Sequence, residues 1–428
     1  MRANSARTLD PQLQLGSTAV RHLEEGCQST IQHFTGTART IMRRWEISLW
    51  NVCLALGILV MSHVEMVQGA DVVRAYIGTY TDKGSEGVYV LELDRDAGTL
   101  TEARVAAKQT SASFLTIHPN RQFLYAVSEV EATDGKKGGG VSAYNIDPAS
   151  GKLQRLNGEI TGGGAPCHLV VDPAGKNLLI ANYSGGSVAC LPINADGSLQ
   201  PTSCFVQHTG SSIDPSRQQA PHAHSINVDP TGDYAVVADL GLDKVLVYKL
   251  DSDHGQLTPN EPPSTSTKAG GGPRHLAFHP NGKFAYTNLE ITSEITAFQV
   301  QTGGVLAGIQ TLTTLPGGKP VPGNSTAECQ VHPSGKFVYV SNRGHHSLAI
   351  YTVDQSTGLL AHIGNQSTEG ETPRNFCIDP SGKYILAANQ DTDNVVVLKI
   401  NQETGLLAPT GSQSQVPTPV CVKFWSPN

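Results

Sequence analysis

The sequence predicts an all-β protein: a seven-bladed β-propeller with four antiparallel strands per blade, its ring closed by pairing the N- and C-terminal strands. Three observations predict it. One pattern recurs six times between residues 110 and 385: an apolar stretch, His-Pro or Asp-Pro, usually Gly and Lys, then a second apolar stretch. The prolines of the six copies are Pro119, Pro173, Pro230, Pro280, Pro333 and Pro380, and their steps of 54, 57, 50, 53 and 47 residues suit propeller blades. The chain ends supply the pieces of a seventh blade.

Residues 1–70 stand outside the repeat. Met42-Arg43-Arg44, an apolar run from Trp50 to Met61, and the small residues Gly69 and Ala70 have the order of a secretory signal peptide starting at Met42. The run is shorter than the roughly 20 apolar residues of a membrane span. This reading places the mature protein, residues 71–428, in a periplasm or outside the cell, without stable membrane insertion. The other readings of the leader are a membrane-anchored or disordered tail, and a cytoplasmic protein.

Residues 74–106 contain RAYIGTY, GVYVLELD and TLTEARVA, which read as second, third and fourth strands of a blade lacking its first. Full blades follow. In residues 274–313, RHLAF is a strand, HPNG a turn, KFAYTNL a second strand, ITAFQV a third, and VLAGIQTLTTL a fourth after QTGG. Proline presets φ and glycine accepts positive φ, so Pro-x-Gly closes the first hairpin. The C-terminal VCVKFWSPN supplies a lone first strand, and joining it to residue 74 onward removes an exposed sheet edge.

Counting from the His or Asp before each turn proline compares the blades. Five residues earlier stand Ser113, Cys167, His224, Arg274, Ala327 and Arg374; four earlier stand Phe114, His168, Ser225, His275, Glu328 and Asn375. Eleven later stand Glu129, Tyr183, Leu240, Glu290, Arg343 and Gln390. In an antiparallel hairpin these positions share one end. Charges so near apolar strands are costly unless paired or used. Arg274 and Glu290 alone read equally well as a structural ion pair. The ring that adds His168, His224, Glu328, Arg343 and Arg374 points to chemistry.

His118, His279 and His332 alternate with Asp before the turn proline at the opposite end, and read as turn caps. His345 and His346 belong to a loop on the ring side. His222 and His224 lack a third ligand in the sequence, so no metal and no cofactor is expected. Cys190 and Cys204 flank the turn NADGS at equal distance and could bridge across a hairpin; Cys167, Cys329, Cys377 and Cys421 read as buried thiols. The net charge is −7, and the 24 basic and 32 acidic residues beyond position 70 give −8, which argues against nucleic acid. Guanidinium groups bind anions and stabilise oxyanions, while His or Glu moves protons; together they suit ring opening or closing of an anionic lactone.

Residues 74–428 resemble the seven-bladed lactonase family that includes 6-phosphogluconolactonases of the bacterial propeller type and fungal carboxy-muconate cyclase. The resemblance is carried by YIGTYT (76–81), PCHLVVDPAGKNLLIANYSGGSV (166–188), PHAHSINVDPTGDYAVVADLGLDKV (221–245), GGPRHLAFHPNGKFAYTNLE (271–290), HPSGKFVYVSNRG (332–344) and PRNFCIDPSGKYILAANQD (373–391). It implies a lactonase of carbohydrate metabolism, with 6-phosphoglucono-δ-lactone of the pentose phosphate pathway as the expected substrate. It also implies that His224, Arg274, Glu290 and Arg343 are catalytic, either Glu290 or His224 moving the proton. His168, Glu328 and Arg374 are then expected to bind substrate. The partner is a small anionic lactone, and the protein is expected to be a monomer. The alternatives are another lactone, including a muconate-type lactone, or a non-catalytic extracytoplasmic binding module.

Overall fold

The computed structural model describes residues 71–133 and 135–427. The predicted leader and its export signal lie outside the described residues. Among the described residues no helix is long and apolar enough to cross a membrane.

Seven separate antiparallel sheets follow one another around a ring. Blades 1 to 6 begin with the inner strands Leu115–Ile117, Pro166–Val171, Ala223–Val228, Pro273–Phe278, Thr326–Val331 and Pro373–Ile378. In blade 4 the remaining strands are Phe284–Leu289, Glu294–Val300 and Leu306–Thr313, in sheet order. Blade 7 joins the two ends of the chain: Pro419–Trp425 pairs with Val72–Thr79, which pairs with Gly87–Asp94. The sheet thus has no free inner edge where the chain starts and stops.

Alternation of apolar side chains along each strand gives every sheet two apolar faces, and neighbouring blades pack on them. Phe337, Tyr339 and Ile350 of blade 5, for example, meet Phe376, Ile385 and Leu398 of blade 6 in one buried cluster. Each such side chain stabilises the fold by about 1.5–3 kcal/mol. Polar staples fix the blade-to-blade register. Tyr76, Tyr125, Tyr286 and Tyr339 donate hydroxyl hydrogen bonds of 2.9–3.1 Å to the carbonyls of Gly151, Gly197, Gly358 and Gly405 in the next blade.

The turn histidines do more than cap. His279 Nδ1 accepts the Asn281 N–H at 3.1 Å, and Nε2 lies 2.9 Å from the Gly335 carbonyl of the following blade. His118 and His332 make the same pair of contacts, reaching Gly175 and Gly382. The alternating aspartates cap their own turns, as Asp379 Oδ1 does in accepting the Tyr384 N–H at 2.7 Å, and two of them also reach the next blade: Asp172 Oδ2 accepts from Ser252 Oγ, and Asp379 Oδ2 lies 3.8 Å from Arg95. Imidazole has a second nitrogen at the far side of the ring, and that nitrogen makes the link between blades. Gly335 must be glycine twice over: its φ is +73°, and a Cβ there would lie 2.6 Å from the His279 ring.

Cys190 and Cys204 stand directly opposite each other on adjacent strands of blade 2, with both thiols free.

Candidate active site

The end of the ring away from the Pro turns is built by two repeated backbone features. The first is a β-bulge near the start of the inner strand in blades 2 to 7. In blade 3, Ala223 pairs with Asp239 and Ser225 with Ala238, so His224 is the extra residue; in blade 6 the extra residue is Arg374. In blade 4 the irregularity takes in both Arg274 and His275. A bulge breaks strict alternation and re-aims side chains. Consecutive residues Arg274 and His275 can therefore both join the central cluster.

The second feature is a backbone bond from the residue just past the second strand to the segment before the inner strand. It runs from Glu129, Tyr183, Leu240, Glu290, Arg343 and Gln390 to the carbonyls of Ser111, Ala165, His222, Gly272, Ser325 and Thr372, at 2.7–3.0 Å. In blade 7 its counterpart joins Tyr80 N–H to the Thr418 carbonyl at 3.3 Å. Tyr80 is the seventh member of that set.

Glu290 is the centre of the cluster. Its Oε2 lies 2.9 Å from Arg274 Nε, 3.1 Å from an Arg343 terminal nitrogen and 4.0 Å from His224 Nε2, while Oε1 accepts a 2.7 Å hydrogen bond from Arg217. The contacts to Arg274 and Arg343 are close ion pairs, and Nε of each arginine has no hydrogen-bond partner. Arg274 and Arg343 are braced from behind by the Ala327 and Thr326 carbonyls. The structure thus brings His224, Arg274, Glu290 and Arg343 around one carboxylate.

The electrostatics follow from burial. Burial alone would raise the Glu290 carboxyl, but Arg343, Arg274 and Arg217 overcome it and hold it at about 2, against an ordinary 4.5. Burial, with Arg374 and Arg343 nearby, lowers Arg274 to about 10, so it remains charged at neutral pH. His224 is pushed well below its ordinary range by burial and by Arg274, and is neutral. An unprotonated imidazole beside a locked carboxylate can accept a proton; a carboxyl held near 2 is a weak base at pH 7.

The other sequence-derived residues lie around this centre. Arg374 donates a 2.8 Å hydrogen bond to the Tyr80 hydroxyl and covers the Tyr80 ring at 5.3 Å, and Tyr80 donates to Glu129 at 3.0 Å. Glu328 and His168 sit against His275 instead of Glu290. Glu328 Oε2 is 3.1 Å from His275 Nδ1 and accepts from Asn375, and the His168 ring packs on Phe114 and His275. His222 stacks on Tyr183 at 4.6 Å. His345 Nδ1 meets Ser347 Oγ and His346 Nδ1 accepts the Thr372 N–H, so both loop histidines hold backbone or neighbouring side chains. Among the described residues, no group of three or more His, Cys, Asp or Glu is arranged to hold a metal ion.

Arg217 went unnoticed in the sequence because it lies in the long insertion 208–222 between blades 2 and 3, outside the repeat. The loop is pinned by buried Gln218, which donates to the Leu240 carbonyl and to Asp243 Oδ1, both at 2.8 Å. Asp243 Oδ1 also accepts the Gly272 N–H at 2.7 Å, so one carboxylate positions both the Arg217 loop and the entry to Arg274.

The family model described as "Lactonase, 7-bladed beta-propeller" matches residues 74–424. The 6-phosphogluconolactonase of Bacillus subtilis is 41% identical over 351 residues, which cover 82% of this chain and 97% of that protein. The 6-phosphogluconolactonase of Formosa agariphila is 34% identical over 70% of this chain and 85% of its own length. The periplasmic gluconolactonase of Pseudomonas aeruginosa superposes with a TM-score of 0.79 at 33% identity, covering 84% of this chain and all of that one.

Proposed function

The chain belongs to the seven-bladed β-propeller lactonase family and hydrolyses a lactone, and from that premise we propose that its substrate is an anionic sugar lactone, 6-phosphoglucono-δ-lactone, opened to 6-phosphogluconate in carbohydrate metabolism. The observation that carries this reading is a local concentration of positive charge. Arg217, Arg274, Arg343, Arg374 and Lys423, five cationic side chains, act on the cluster of Glu129, Glu290 and Glu328 in a protein of net charge −7. Buried cations without counterions are costly, and an anionic ligand would neutralise them.

In this reading Arg274 and Arg343 turn their free Nε protons to the lactone carbonyl oxygen and stabilise the oxyanion. One such donor is typically worth about 2.7–4 kcal/mol of barrier. His224 takes a proton from water as the water oxygen bonds to the carbonyl carbon. Glu290 holds the arginines in place, and its engagement with three guanidinium groups supports giving the proton transfer to His224. Arg217, whose side chain is 40% exposed, and Arg374 receive the phosphate.

A second reading is favoured by the leader pattern at Met42–Met61 and by the periplasmic gluconolactonase relative: an exported enzyme acting on an unphosphorylated aldonolactone. Both readings take the protein to be a monomer. The experiment is acid release by the purified full chain from 6-phosphoglucono-δ-lactone and from glucono-δ-lactone, corrected for spontaneous hydrolysis. A kcat/KM at least tenfold higher for the phosphorylated lactone supports the first reading, and the reverse preference supports the second. Sequencing the N-terminus of protein recovered from the periplasm of a bacterial host tests export, with a start near Asp71 expected.

A further inference from the structure

Lactone opening needs two proton transfers: one away from the attacking water and one onto the ring oxygen as it leaves. His224 accounts for the first. His275, on the same inner strand as Arg274, is built like a second proton-carrying group. It is buried, 4% exposed, and its ring lies 5.4 Å from that of His224. Its Nδ1 is 3.1 Å from Glu328 Oε2, and its Nε2 has no hydrogen-bond partner. A buried polar nitrogen left unpaired is costly and is uncommon without a role.

The carboxylate behind it is fixed on both oxygens. Glu328 Oε1 accepts the Cys329 N–H at 2.8 Å, and Oε2 accepts from Asn375, whose own Oδ1 accepts the Val422 N–H. The backbone of His275 is held as well: its N–H donates to Asn288 Oδ1 at 3.1 Å, and its carbonyl accepts from Thr287 Oγ1 at 2.8 Å. A base or acid oriented by a locked carboxyl, with its other nitrogen open, is the arrangement that catalytic imidazoles share.

We propose that His275 delivers the proton to the lactone ring oxygen, with Glu328 as its positioning and proton-supplying partner rather than a substrate contact. The water oxygen bonds to the carbonyl carbon and its proton passes to His224. The bond from that carbon to the ring oxygen breaks, and its electron pair goes to the oxygen. The proton on His275 Nε2 transfers there while the Glu328 carboxyl passes its proton to Nδ1. The imidazolium of His224 then passes its proton through solvent to His275 Nε2 while Nδ1 returns its proton to Glu328, so one water is consumed and both histidines and Glu328 regain their starting forms. Burial raises the Glu328 carboxyl above its ordinary range, which favours the protonated starting form. The rings facing His275 are Phe114, His168 and His224. The charges acting on it are Arg274, Lys423 and Arg374, opposed by Glu290.

The proposal rests on lactone hydrolysis and not on which lactone is natural. It is tested with His275→Gln and Glu328→Gln in the full chain, each measured on the lactone that the wild type opens fastest, so a wrong substrate reading leaves the test intact. His275→Gln is expected to lower kcat by about 100-fold or more and Glu328→Gln by at least about tenfold, with KM within about twofold. The wild type is expected to lose kcat as pH rises and Glu328 gives up its proton, and both variants are expected to flatten that fall. Should His275→Gln fail to fold, Glu328→Gln, which keeps the shape of the side chain, carries the test alone. A folded Glu328→Gln enzyme with kcat within threefold of wild type and the same alkaline fall would overturn the proposal. So would a raised KM at unchanged kcat, the mark of a substrate-binding pair.

Discussion

Glu290→Gln separates an anchoring carboxylate from a catalytic base. The substitution keeps shape and removes the charge that three guanidinium groups share. A carboxyl held at about 2 instead of 4.5 stabilises the folded state by about 3 kcal/mol at neutral pH. Breaking one partner out of a buried ion pair independently suggests about 3–5 kcal/mol. With an unfolding entropy of roughly 2.1 cal/mol/K per residue, a propeller of this size loses about 1.3 °C of Tm per kcal/mol, so a fall of about 4–6 °C is expected. The sign with pH is fixed: the folded pKa is depressed, so the stabilisation is complete above about 4.5 and disappears as pH falls towards 2. The assay is thermal melting of wild type and Glu290→Gln from pH 8 to pH 3, with kcat measured at pH 7. The gap in Tm is expected to be constant from pH 8 to about 5 and to narrow below. The kcat should fall about 10- to 100-fold as Arg274 and Arg343 lose their anchor. An unchanged Tm with activity abolished would refute the reasoning and make Glu290 the base.

Three further outcomes follow from the geometry. His224→Asn should lower kcat by about 10²–10⁴-fold with little change in KM, measured at saturating lactone. Raising ionic strength from about 0.02 to 0.2 M should lower kcat/KM for a phosphorylated lactone several-fold and leave that for a neutral lactone unchanged, because screening acts on the cationic mouth. Gly335→Ala should destabilise the ring by about 2–4 kcal/mol, read by denaturant unfolding, since it combines a positive φ with a clash against His279.

The Pro turns made the blade count and the pairing of the chain ends legible, because each turn needs residues that few other structures need. The same ruler aligned Glu290 and Arg343 with the start of the neighbouring strand, where a repeated backbone bond holds them. It failed in blade 7, where Trp425 stands at the counting origin and the proline comes one residue late, so Tyr80 was not aligned. The bulges were invisible as well. Simple alternation puts Arg274 and His275 on opposite faces, and only the irregular pairing shows that both reach the central cluster. Arg217 carries no repeat signal, since its place depends on Gln218 and Asp243 pinning a loop from outside the blade pattern. The turn histidines were legible as caps, but their second contact, to the next blade, depends on how the sheets stack.

The most direct test of the account is a crystal structure of the full chain with 6-phosphogluconate bound. The product carboxylate is expected between Arg274 and Arg343, beside His224, with the phosphate towards Arg217 and Arg374. Product bound at the Pro-turn end of the ring or in an outer groove between blades, with the Glu290 cluster unchanged, would contradict it.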